Sequence, residues 1–445
     1  MALGGGTFLT QNKTLPGAYI NFVSSASASA GLSDRGIATM PLELDWGKEG
    51  EVFEVSSEEF QKNAQKIFGY AYTDSKLKGL RDLFRGVKIL YAYRLNGNGV
   101  KASNKYAEAL YSGIRGNDLK IGIQVNLDDA SAFDVITYLG TSKVDSQTVK
   151  TAAELKANAY VKFKPEISFD AVAALPLIGG TNGEVDGSVY QDYLDRIEAY
   201  TYNTMGVVTT DDTVKRLFAA FNRRMRDELG IKFQLVLYKY PTADYLGVIS
   251  VKNKCLDGAR TTENGMVYPD EAAAVYWTVG AESGCAVNAS CLHKKYDGEY
   301  TLDTAYTQKE LADAILAGEF VFHRVNSEIR VLEDINTMVT VTETSGDVFK
   351  DNQTIRVIDQ LANEDAMIFS RKYLGVVPND AAGRSALRTD MVKIRQELQR
   401  IRAIENFSEK DVKISAGSTK KAVVVENTIT VTNTMAKLYI TTTIE

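Results

Sequence analysis

The feature that most constrains this chain is an alternation of helix and strand that breaks off and later resumes. From Ser57 onward apolar residues fall at helical spacing. Phe60, Ala64, Ile67 and Phe68 share one face, and Leu77, Leu80, Leu83 and Phe84 share another. The apolar run 87–93 reads as the strand that follows. At Asn96-Gly-Asn-Gly99 the texture changes to short strands, such as 119–125 and 159–164, separated by turn residues and closed by the glycines at 179–183 and 187. After Ser188 the alternation returns. Val214, Leu217, Phe218, Phe221, Met225 and Leu229 predict a helix stopped by Gly230, ahead of strands at 231–238 and 246–251. Alternation of this kind builds a sheet covered by helices, so the sequence predicts an α/β body carrying a β-rich insert.

Local signals sharpen the later part. Pro269-Asp-Glu271 predicts the start of a helix, with proline in its first turn and acids at the positive end of its dipole. The small residues of that helix, Ala272 to Ala274, Gly280 and Gly284, predict close packing on a sheet. Asp211-Asp212 reads as a helix cap, and Thr307-Gln-Lys-Glu310 as a capping box with Gly318 as the stop. Asn326-Ser327 separates two strand-like runs and predicts a hairpin. From 380 to 403, Leu387, Met391, Ile394, Leu398 and Ile401 recur at 4-3-4-3 spacing, which predicts a core-facing helix rather than a coiled coil.

Both ends of the chain look like tethered strands. Residues 18–23, after the turn signal Pro16-Gly17, are β-prone and place Tyr19, Ile20, Phe22 and Val23 beside the small, polar tract 24–30. A lone strand this short needs a sheet edge, which its own core or another chain could supply. At the other end, 421–432 and 436–444 are rich in β-branched residues. Leu438, Ile440 and Ile444 fall on one face of the second run, with Tyr439 between them. That strand either completes its own sheet or joins a neighbour's by β-augmentation.

Composition excludes much chemistry. At 445 residues, the chain has room for roughly three domains. Its net charge of −6, with no basic run, argues against a nucleic-acid partner. Two histidines, His293 and His323, leave little for histidine metal sites or general-base catalysis. Cys255, Cys285 and Cys291 follow no metal spacing and read as reduced, buried thiols, so the Cys285, Cys291 and His293 group is not assigned as a metal site. No phosphate loop, dinucleotide fingerprint, nucleophile elbow or HExxH occurs. No leader pattern or bilayer-length apolar run is present either. The expectation is no catalytic, cofactor-binding or metal residue, no membrane insertion, and a structural role. A cryptic α/β hydrolase using His293 or His323 is one rival. A surface adhesin fits the β-rich insert but lacks a secretion signal.

A series of motifs then carries a resemblance. Val331-Leu-Glu-Asp-Ile-Asn-Thr337, Ile355-Arg-Val-Ile-Asp-Gln360, Tyr373-Leu-Gly375 with Asn379 and Gly383-Arg384, and Ile404-Glu-Asn-Phe407 occur in that order. Together with Tyr439-Ile-Thr441 and Pro16-Gly-Ala-Tyr19, this series resembles contractile phage tail sheath proteins, particularly those of phages and phage-like particles of Gram-positive bacteria. The resemblance implies a multi-domain α/β fold: a subtilisin-like α/β module, an inserted β-sandwich module, an α+β C-terminal module and extended, strand-bearing termini. On this chain that division places an N-terminal arm at 1–35, the first part of the α/β core at 36–95 and the sandwich-like insert at 96–186. The α/β domain then occupies 187–340, the C-terminal sheath domain 341–433 and the arm strand 434–445. It further implies a helical homo-oligomer of stacked hexameric rings around a tail tube protein, meeting baseplate and tail terminator proteins. Assembly would occur in the bacterial cytoplasm, before the subunit becomes part of a virion, a DNA-free bacteriocin or an injection particle. Its arms, through Tyr19, Ile20, Phe22, Val23, Leu438, Tyr439, Ile440 and Ile444, would pair with adjacent subunits.

Overall fold

Strands buried on both faces set the layers of the structure, a computed structural model that describes residues 32, 34–165, 169–257, 259–261, 267–343 and 345–444. The first block is β1 (Ile37–Leu42), β2 (Val52–Ser56), α1 (Ser57–Phe68), α2 (Lys78–Leu83) and β3 (Ile89–Arg94). The insert supplies β4 (Ala107–Ala109), β5 (Leu119–Val125), β6 (Phe133–Leu139), β7 (Ser142–Val149), β8 (Val161–Phe163) and β9 (Val172–Pro176). Alternation resumes with α3 (Gly187–Ile197), β10 (Thr204–Gly206), α4 (Asp212–Asp227), β11 (Gln234–Tyr238) and β12 (Val248–Val251). A hairpin of β13 (Ala259–Thr261) and β14 (Val267–Pro269) precedes α5 (Ala274–Gly284), and α6 (Gln308–Leu316) leads to β15 (Glu319–Phe320). The hairpin β16 (Phe322–Val325) and β17 (Glu328–Val331) follows, then α7 (Asn352–Ile368), α8 (Ala381–Arg400), β18 (Ile404–Glu405), β19 (Val412–Ala416) and β20 (Val423–Asn427).

The central sheet has the order β15-β12-β11-β10-β1-β3-β2, parallel throughout except for the antiparallel edge strand β2. Alternate side chains feed two cores. Ala38, Met40, Val236, Tyr238, Ile249 and Val251 face the layer of α1, α2 and α5, with Phe60, Leu83 and Trp277. Leu235, Leu237 and Val248 face α3 and α4, where Tyr193, Phe218 and Met225 are buried. Each fully buried apolar side chain of this size stabilises by about 1.5–3 kcal/mol relative to exposure. The caps read from sequence form: Asp211 accepts from the Thr213 amide, and Thr307 with Glu310 makes a reciprocal capping box. The hairpin turn at Asn326 takes a left-handed φ of 55°.

The insert folds as a four-stranded sheet, β7-β6-β5-β9, and a two-stranded one, β4-β8, around one core that includes Ile121, Val135, Tyr160 and Val161. Trp46, from the β1–β2 connection, is buried in that core and packs edge-on against Tyr111 at 5.2 Å. The insert leaves and returns through a narrow neck. Gly183 N donates to Asn96 O at 3.0 Å, and Val100 and Thr181 exchange backbone hydrogen bonds of 3.1 and 3.0 Å. A Cβ on Gly99 would lie 1.9 Å from Thr181 O, so the neck closes only around glycine.

Contacts divide the chain into one compact unit of Asp34–Asn363 with Val431–Glu445 and another containing Glu364–Thr430. In the latter, Leu387, Met391, Val392 and Val412 form a core that brings α8 against the β19–β20 hairpin. Arg395, fully buried, forks onto Asp365 with two bonds of 2.6 Å. The motif residues Asn379 and Gly383-Arg384 are structural. Asn379 donates to Ala422 O at 2.8 Å and is held by Arg384 at 2.9 Å, while a Cβ on Gly383 would meet Pro378 O at 2.1 Å.

Two sequence expectations are corrected. Pro269 ends β14, paired opposite Ala259, and the helix begins at Ala274. The proline is taken up by a strand end, where its missing N–H is tolerated. The small-residue helix α5 packs on the sheet, against β1, β10 and β11, and its Gly280 and Gly284 in addition allow a close approach to the chain at and just after the end of α2. A Cβ on Gly280 would lie 2.4 Å from Leu83 O, and one on Gly284 2.4 Å from Gly86 O. Finally, 436–444 lies outside regular structure, so of its two options it does not complete a sheet of its own chain.

Candidate assembly site

The last residues combine a fixed root with a free end. Gln353 and Thr354, at the start of α7, are both buried. Gln353 Nε2 donates to Thr432 O at 3.0 Å, and its Oε1 accepts from the Thr434 amide at 3.1 Å. Thr354 and Asn433 join side chain to side chain at 3.2–3.3 Å. Beyond that root every described residue of 435–444 is exposed and outside regular structure. Leu438, Tyr439, Ile440 and Ile444 are 83%, 88%, 74% and 91% exposed. Apolar side chains rarely stand in water as a contiguous run unless a partner covers them. The other predicted arm residues, Tyr19, Ile20, Phe22 and Val23, lie outside the described residues.

Beside the root lies a buried ionic cluster that sequence reasoning missed. Arg356, one turn along α7, reaches Glu282 at 2.5 Å and Asp334 at 2.9 Å, and all three side chains are essentially without solvent contact. Asp334 also accepts from the Cys291 amide at 2.7 Å and from Asn352 Nδ2 at 3.0 Å. Arg35, just before β1, donates to Cys285 O at 2.8 Å and Glu282 O at 3.1 Å, at the end of α5. A motif such as Ile355-Arg-Val-Ile-Asp359 contains the signal, charged residues amid apolar ones, but the partners are distant in sequence. Asp359 itself forks onto buried Arg226 at 2.6 and 2.7 Å.

The charges in this cluster sort themselves by environment. Burial and the Asp334 carboxylate push Glu282 well above the usual range, against the pull of Arg356. Burial also opposes ionisation of Asp334, but Arg356 and hydrogen bonds from Glu282, the Cys291 amide and Asn352 outweigh it and hold its pKa down. A hydrogen bond from Cys291 lowers Cys285 to about 6 against burial, with Arg356 and Arg35 adding to the shift. Burial and then Arg356 pull Arg35 down to about 10, so it stays charged near neutrality. Two guanidinium groups therefore share the site with the Asp334 carboxylate, a Cys285 thiol shifted toward its ionised form and a Glu282 carboxyl shifted toward its neutral one. Glu282, Cys291 and Asp334 present ligand atoms within 4.8 Å of one another, the spacing of a metal site. The Arg356 guanidinium already supplies the positive charge those acids need.

A cavity of about 520 Å³ opens at the carboxyl ends of β1, β3 and β10, where the strand order reverses and α/β sheets hold their ligands. Its Asp45 is engaged by Tyr70 at 2.6 Å and Asn182 at 2.9 Å. Neither His293 nor His323 is among its lining residues. His323, in β16, is depressed by burial and by nearby His293.

Comparison with known proteins covers nearly the whole chain. Family models match for the phage tail sheath protein central domain at 183–337, the phage tail sheath C-terminal domain at 344–445 and the phage tail sheath protein β-sandwich domain at 97–182. A fourth, the N-terminal region of domain III of tail sheath protein Gp18, matches 35–95. The phage-like element PBSX protein XkdK of Bacillus subtilis is 32% identical, over 98% of this chain and 99% of that one. The crystal structure of a sheath tail protein from Desulfitobacterium hafniense is 36% identical, with a TM-score of 0.80, covering 93% of this chain and 96% of the other. A sheath tail protein from Listeria innocua is 28% identical, with a TM-score of 0.76, covering 90% and 93%.

Proposed function

Because this chain belongs to the phage tail sheath family, we propose that it is the structural subunit of a contractile sheath whose two ends stitch it to its neighbours. It polymerises as stacked hexameric rings around a tail tube and meets baseplate and terminator proteins at the ends of the stack. Assembled in the bacterial cytoplasm, it becomes part of a virion or phage-like particle. Contraction drives the tube through the target envelope, powered by better subunit contacts in the shortened state. The α/β unit has a subtilisin-like topology without protease chemistry, and the modules follow the boundaries 36–95, 96–186, 187–340 and 341–433.

The observation that carries this reading is the exposed run 435–444 beyond a hydrogen-bonded root. As an added strand in a neighbour, Leu438 and Ile440 would face its core, and each backbone hydrogen bond would contribute about 0.5–1.5 kcal/mol. Several such ties per subunit act together by raising effective concentration, so modest contacts yield a durable lattice. The tract 24–30 serves as the leash for the other arm. Truncation after Thr434 tests the idea: folded subunits that fail to form tubes by negative-stain electron microscopy support it, and normal tubes reject it. A second reading, the sheath of a DNA-free phage-tail-like particle, is favoured by the full-length likeness to a phage-like element protein.

A further inference from the structure

The roots of the two ends lie far apart in sequence but are joined by a path of polar contacts, buried at its centre and partly buried at either end, that passes from Arg356 to Gln353 along the backbone of α7. Arg35 stands where the chain enters β1, and its guanidinium holds the carbonyls of Glu282 and Cys285 at the end of α5. From the same turn, the Glu282 side chain bonds Arg356 on α7. One turn before Arg356, Gln353 and Thr354 grip Thr432 to Thr434. Asp334 closes the path by bonding both Arg356 and Asn352. The core links are desolvated, and a buried charge deprived of its partner is strongly disfavoured, so these groups hold or yield as a set.

We propose that the Arg35–Glu282–Asp334–Arg356 cluster positions both chain ends, fixing the N-terminal and C-terminal exits on a single rigid node so that a pull on one end reaches the other through buried side chains. The residues act through the roots rather than touching a neighbouring subunit. This rests on the reading that both ends reach adjacent subunits, and it adds a prediction that reading does not make: the two roots are coupled within one unassembled subunit.

Coupling between two sites is reciprocal, which gives a test from either side. Hydrogen–deuterium exchange is measured on full-length, unassembled protein. The reporters are the Thr434 amide, bonded to Gln353, and the Gly36 and Ile37 amides, bonded to Asn203 Oδ1. Arg35→Met should raise exchange at Thr434 by about fivefold or more, with Arg35→Lys restoring most of the protection. Gln353→Ala should raise exchange at Gly36 and Ile37 by a similar factor, and it serves alone if Arg35→Met does not fold. Exchange in β11 reports global stability and should stay unchanged. A response confined to the mutated root overturns the proposal, as does a uniform rise that includes β11. Assembly of the chain truncated after Thr434 scores the arm reading separately, so either idea can fail without the other.

Discussion

Replacing Glu282 by glutamine probes the electrostatics of the buried node. The side chain is fully buried, and burial together with the Asp334 charge drives its pKa well above the ordinary 4.5. The unfolded chain loses this proton near 4.5 while the native state keeps it. Between those two values the unfolded state binds fewer protons, so stability falls as pH rises, by about 1.4 kcal/mol per pH unit. Glutamine keeps the size of the side chain and an acceptor toward Arg356, with no proton to lose. Glu282→Gln should therefore match the parent near the ordinary glutamate pKa and exceed it by about 1.4 kcal/mol more for each unit above, until the native value is reached. Urea unfolding from about pH 5 to about pH 7, followed by tryptophan fluorescence with Cys285→Ser in both proteins so that the thiol near 6 drops out of the window, reads the difference. Parallel stability curves would refute the assignment of a neutral Glu282, as would a variant weaker at every pH.

Cys285 runs the opposite way. Its pKa, lowered to about 6 from 9.0, contributes stability that is complete above the ordinary thiol value and lost as pH falls through about 6. Thiolate absorbance of the native protein should titrate near that value, and Cys285→Ser should abolish the step. Gly280→Ala puts a methyl 2.4 Å from Leu83 O and should cost about 1–3 kcal/mol, visible as a lowered Tm. Asp365→Ala strands buried Arg395 and should destabilise the smaller unit by about 3 kcal/mol in denaturant melts. Replacing both partners by apolar residues should recover most of that loss. Trp46→Ala removes the indole from the insert core, a loss of about 3–5 kcal/mol, and limited proteolysis should then cut within the insert.

What was legible in the sequence was what neighbouring residues decide. The Asp211 cap, the Thr307 capping box, the Asn326 turn and the seam of α8 each depend on a few adjacent side chains, and each forms where its pattern lies. The misplaced helix start at Pro269 arose because the same residue suits a strand end, and only pairing with Ala259 decides between them. The run 436–444 has strand composition but no strand, since composition supplies side chains and not the partner edge. The ionic node was invisible for a different reason. Arg35 and Cys285 are 250 positions apart, and no local periodicity marks which arginine will meet which acid. The ordered motifs near the end of the chain do mark the positions, and the structure supplies their meaning: Asp334, Arg356 and Asp359 are internal fasteners.

The neck at Asn96 and Gly183 has an evolutionary consequence. Because entry and exit run side by side, joined by backbone hydrogen bonds around Gly99, with Trp46 of the frame plugged into its core, the whole lobe between them is clasped to the frame at one place. A lineage can enlarge, trim or exchange that lobe, and so redecorate one part of its surface, while every strand of the central sheet keeps its register.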